Sequence, residues 1–86
     1  MDLETIKSIM DNSYQYIMIS SLKYASGIGT YASFDIAAYD CFKRDLVSIV
    51  WGVTSDRELA LRMCERFNRY QLSPIQLEDA ILDMIE

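Results

Sequence analysis

Apolar residues recur at helical spacing through most of the chain. Leu3, Ile6, Ile9 and Met10 mark a first helix, with Asp2 as its cap and Glu4 near the positive end of its dipole. Tyr39, Phe42, Leu46, Ile49 and Val53 follow one another at spacings of three, four, three and four, which predicts a core-facing helical stripe. Leu59, Met63, Phe67 and Tyr70, flanked by Ala60 and Cys64, form a further apolar face, and Leu77, Ile81, Met84 and Ile85 form the last. The pattern predicts an all-α fold, a compact bundle of four to five short helices in a single domain over residues 1–86.

The stretch from Tyr14 to Leu22 departs from this pattern, because its aromatic and β-branched residues suit a strand equally well. The alternative is therefore an α+β fold, with a hairpin at residues 14–39 whose arms, 14–24 and 30–39, turn at Gly27 to Gly29. Ala32, Ala37, Ala38 and two aspartates in the second arm weigh toward helix. In the helical reading the glycines stop one helix and Thr30 or Ser33 caps the next, with Asp35 near its positive end. Asp40 can divide that segment into helices over 31–39 and 41–52, and Gly52 ends it. Trp51 lies beside the stripe, where its large surface suits a core edge or an interface.

Two capping boxes are legible further on. Ser55-Asp56-Arg57-Glu58 pairs a serine with a glutamate three residues later, and Ser73-Pro74-Ile75-Gln76 repeats the scheme with proline at the first helical position. The linker Gln71-Leu72-Ser73-Pro74 looks like the turn of a helix-turn-helix, so a DNA-binding regulator is one reading. The helix that would enter the groove, however, carries Glu78, Asp79, Asp83 and Glu86 and no base.

Charge sharpens that objection. The chain has a net charge of −5, with five acids against two bases in residues 1–40, six bases against four acids in 41–72, and four acids with no base thereafter. Such a balance disfavours direct contact with nucleic acid. On the arginine-bearing helix, Glu58 precedes Arg62 and Glu65 precedes Arg69 by four, a spacing that pairs charges along a solvated face. Two cysteines, Cys41 and Cys64, and no histidine leave too few ligands for a zinc site, and they read as reduced thiols. No cofactor is implied. General acid–base chemistry lacks its commonest residue, and Tyr24, Tyr31 and Tyr39 near Asp35 and Asp40 read as structure, so no enzyme is expected. The opening residues lack a basic region and no apolar run approaches membrane-spanning length, which predicts a cytoplasmic protein without membrane contact.

Half of the residues, 51%, are apolar, more than a small core requires, which points to a protein interface. Lys23-Tyr24-Ala25-Ser26-Gly27-Ile28-Gly29-Thr30-Tyr31 resembles a motif, [RK]-Y-A-x-G-x-x-T-Y, of small uncharacterised proteins of bacteriophages and other mobile elements, with Ser26 and Ile28 in place of leucine and arginine. The resemblance implies a helix-turn-helix arrangement around the glycine and a mobile-element origin in a bacterial host cell. By analogy with small acidic phage proteins, it suggests an inhibitor of a nucleic-acid-targeting defence system, anti-CRISPR-like, whose partner is a basic nucleic-acid-binding host enzyme. In that reading Asp35, Asp40, Glu78, Asp79 and Asp83 occupy the partner's basic channel, while Tyr31 and Trp51 anchor the contact. The alternative is a structural or regulatory homo-oligomer, such as a homodimer, built on the Tyr39 to Val53 stripe or Trp51.

Overall fold

The computed structural model describes residues 13–85, which form a three-stranded antiparallel meander followed by two helices. The strands are β1 (Tyr14–Ala25), β2 (Gly29–Asp40) and β3 (Asp45–Thr54), in that spatial order. Helix α1 (Arg57–Tyr70) leads through a single 3-10 turn at Pro74–Gln76 into α2 (Leu77–Ile85). The architecture is α+β, which overturns the all-α bundle and matches the hairpin alternative. The expected first helix, on Leu3 to Met10, lies outside the described residues.

The hairpin is continuous in register from Tyr14↔Asp40 to Ala25↔Gly29. Its turn closes with the Ile28 N–H donating to the Ala25 carbonyl at 3.1 Å, and Gly27 takes φ +84°, the left-handed value that the turn's third residue requires. The glycines thus reverse the chain as expected, but as a strand turn. Thr30 and Ser33 lie within β2 and cap no helix, and the helix-turn-helix arrangement implied by the motif resemblance is replaced by a hairpin.

The stripe from Tyr39 to Val53 is not a helix either. Tyr39 is in β2, Phe42 lies in the loop to β3, and Leu46, Ile49 and Val53 are in β3; none of the five is fully buried. Local composition explains the outcome, since Leu46 to Thr54 holds three valines, an isoleucine, a tryptophan and a threonine, residues that fit a pleated surface. The alanines that weighed against a strand in β2 serve packing instead. Ala37 and Ala38 are fully buried in the central strand, and Ala38 belongs to the core beneath the helices.

That core joins Tyr16, Ile36 and Ala38 of the sheet to Met63, Cys64 and Phe67 of α1 and Leu77 and Ile81 of α2. The Tyr16 and Phe67 rings meet edge to face, with centroids 5.6 Å apart and an interplanar angle of 70°. Side chains alternate along a strand, so Tyr14, Tyr16, Met18, Ser20, Leu22 and Tyr24 share this helix-facing side of β1. Only Tyr14, Tyr16 and Met18 take part in the core, and the rest of the strand continues past it.

The helix caps differ in part from their sequence signatures. Asp56, rather than Ser55, caps α1, its Oδ1 accepting the N–H groups of Glu58 and Leu59 at 3.0 and 3.3 Å. Ser73 precedes the 3-10 turn and makes no side-chain cap bond; its carbonyl accepts the Gln76 N–H at 2.9 Å.

Candidate interaction surface

Strand β1 is an edge of the sheet along its whole length, and its two ends are treated differently. In an antiparallel ladder alternate residues turn their N–H and C=O groups toward the neighbouring strand, leaving the others to point away. In β1 the outward residues are the even-numbered ones. Tyr14 N–H donates to Gln71 Oε1 at 3.1 Å, and Gln71 Nε2 donates to the Tyr14 carbonyl at 3.0 Å. Asn68 repeats the arrangement one step along, accepting the Tyr16 N–H and donating to its carbonyl. Two side-chain amides from the end of α1 therefore imitate a neighbouring strand for the first two steps.

Beyond Tyr16 the imitation stops. Among the described residues, the outward N–H groups of Met18, Ser20, Leu22 and Tyr24 make no hydrogen bond. Leu22 and Tyr24, both on the helix-facing side, are each 76% exposed, and Ile28 at the turn is also 76% exposed. Lys23 is the single charged residue between Tyr14 and Phe34. A nearly uncharged two-stranded arm, with Leu22, Tyr24 and Ile28 exposed among serines and a threonine, thus extends past the core, and among the described residues one of its edges is open. The opposite edge, β3, is blunted by two register shifts against β2.

The residues singled out in the sequence do not form one surface. Asp35 is 1% exposed, and its Oδ1 accepts the Gly52 N–H at 2.6 Å where β3 bulges. Asp40 is also buried, its Oδ1 accepting the Phe42 and Lys43 N–H groups at 2.9 and 3.0 Å to shape the loop into β3. Glu78, Asp79 and Asp83 are exposed along α2. Tyr31 is exposed on the arm, and Trp51, 67% exposed, is on β3. Asp40 and Glu78 line one open cleft of about 500 Å³ with Tyr14 and Lys43, while Asp83 borders a groove of about 430 Å³ between the helices with Arg66, Tyr70 and Met84. Neither is lined by a cysteine.

The open edge was not singled out in the sequence. Its only signal there was the strand-like composition of Tyr14 to Leu22, since the Asn68 and Gln71 caps come from residues more than fifty positions away.

The remaining candidate chemistry is muted. Cys41 is exposed, whereas Cys64 is buried in the core, and burial pushes its thiol up to about 11, away from the reactive thiolate form. Burial likewise raises the Tyr16 phenol to about 12, with a lesser contribution from Tyr14, and its hydroxyl donates to the Leu72 carbonyl. Among the described residues no cluster of three or more His, Cys, Asp or Glu side chains is placed to hold a metal ion. Also among them, no helix is long and apolar enough to cross a membrane. No protein-family model matches the chain, and neither does any curated protein or solved structure.

Proposed function

We propose that the chain is a non-catalytic association module that works as a homo-oligomer, in a structural or regulatory role. The observation that carries this reading is the arm, on which Leu22, Tyr24 and Ile28 are exposed around a single charge. An isolated two-stranded ribbon is at best marginally stable in water, so an arm of this length gains from contact along its open edge or apolar side. The composition also favours self-association, because a chain with net charge −5 repels its copies least where it carries almost no charge. The arm replaces the Tyr39 to Val53 stripe as the expected interface.

An inhibitor that places Asp35, Asp40, Glu78, Asp79 and Asp83 together in a basic channel has less support, because Asp35 and Asp40 are buried and already accept backbone N–H groups. Sedimentation velocity across a concentration series tests the homo-oligomer. The expected species has at least twice the 9.9 kDa mass of one chain, and Leu22→Ser with Tyr24→Ser lowers it. A single-chain mass at every concentration overturns the reading.

A further inference from the structure

We infer that the partner on the open edge is the β1 strand of a second copy, paired antiparallel about a twofold axis at Ser21, so that two sheets join as one of six strands. This rests on the homo-oligomer proposed above and specifies its interface. The register follows from which edge groups are free. Gln71 and Asn68 occupy those of Tyr14 and Tyr16, and the chain turns after Ala25, so the free outward residues are Met18, Ser20, Leu22 and Tyr24. A twofold pairing that uses all four sets Met18 against Tyr24 and Ser20 against Leu22, each twice. Every one of these is a hydrogen-bonded pair, because all four residues point their backbone groups outward. Ser21 then lies opposite its own counterpart.

Three further observations agree with that centre. Ser21 Oγ is a buried side-chain atom without a hydrogen-bond partner. A self-opposed Ser21 occupies a non-hydrogen-bonded position, where Cα atoms approach to about 4.5 Å and hydroxyl side chains can bond across the strands. Lys23 lies opposite Ile19 of the second copy, so no like charges meet. Tyr24, 76% exposed in one chain, comes to rest beside Met18 of the second copy, which borders the core beneath its helices. The unshifted register of β1 against β2 keeps this edge flat enough to be extended, as the bulged β3 edge is not.

Ser21→Cys in a Cys41→Ser background tests the register. Self-opposed Cα atoms at about 4.5 Å are within disulfide range, so mild oxidation is expected to convert most of the protein to a covalent dimer. Ser26→Cys in the same background, at the turn, is expected to remain largely uncrosslinked. Ser20→Pro removes one outward N–H without removing a bond to β2, and is expected to weaken the dimer at least tenfold while the thermal melt of the monomer is retained. A wild-type oligomer in which Ser21→Cys crosslinks no better than Ser26→Cys, or in which folded Ser20→Pro associates unchanged, overturns this interface but leaves the homo-oligomer standing. A monomeric wild type removes both.

Discussion

Asn68 holds Tyr16 by both of its backbone groups, accepting the N–H through Oδ1 at 2.6 Å and donating from Nδ2 to the carbonyl at 3.1 Å. The side-chain amide has the donor and acceptor of a peptide group, so it can complete one step of a ladder that no strand continues. The same contact ties α1 to the sheet at the point where the Tyr16 ring enters the core. Docking of the helix and protection of the edge are therefore a single event.

Asn68→Ala breaks both bonds and uncovers, at the third residue of β1, an N–H and a carbonyl that the fold otherwise satisfies. At about 1 kcal/mol for each net hydrogen bond, the loss of stability is expected to be about 2 kcal/mol, read from the midpoint of a urea titration at unchanged slope. Asn68→Asp keeps an acceptor for the Tyr16 N–H but sets a carboxylate against its carbonyl, so it is expected to recover none of the second bond. Stability equal to wild type in Asn68→Ala would show that this amide contributes nothing beyond what water supplies.

The helix starts offer a paired comparison. Asp56 caps two N–H groups of α1, so Asp56→Ala is expected to lower stability by about 1 kcal/mol. Ser73→Ala is expected to leave the melting temperature within error, because the serine hydroxyl bonds no helix N–H and the carbonyl that receives Gln76 survives the change. Circular-dichroism melts of the two variants decide the matter, and a larger loss in Ser73→Ala would reverse the assignment.

These caps also show what was legible in the chain. Local signals suffice where one segment settles the structure: the turn at Gly27 to Gly29, the start of α1 to within a residue, and most of the apolar faces of α1 and α2, from which Tyr70 and Ile85 depart by being 69% and 48% exposed. They mislead where distant residues decide. The helical spacing from Tyr39 to Val53 spans a strand end, a loop and a strand, because Asp40 turns its carboxylate onto the loop N–H groups and β3 pairs with β2. Asp35 disfavours a strand by local propensity, but its carboxylate accepts the Gly52 N–H in the bulge beside it, a contact that only the fold supplies. The amide caps on β1 leave no local trace, since they join positions brought together only by the fold.

Gly52 isolates the conformational part of that bulge. Its φ of +61° is left-handed, yet a Cβ there would meet nothing within 4 Å. Gly52→Ala is therefore expected to cost about 1–2 kcal/mol from backbone strain alone, and Gly52→Asn less, as asparagine tolerates this region better. Equal losses for the two variants would mean that sterics, not backbone conformation, governs the site. Asp35→Ala removes the acceptor instead and leaves the Gly52 N–H without it, for a loss of about 1–3 kcal/mol in the same assay.

The buried phenol and thiol set the alkaline limit of the fold. Tyr16 titrates at about 12 in the folded chain against an ordinary value of 10.0, and Cys64 at about 11 against 9.0, both raised chiefly by burial. In each case the unfolded chain releases its proton first, so the contribution is fully present below pH 9 and is lost as pH rises toward 12. Thermal midpoints are expected to hold steady up to about pH 9 and fall steadily above it, with Cys64→Ala shifting the onset upward toward pH 10, where only the phenol remains. Thiol labelling gives an independent check near neutrality. Exposed Cys41 should react promptly and Cys64 only on unfolding, whereas two fast thiols in the native protein would contradict the burial from which the alkaline limb is derived.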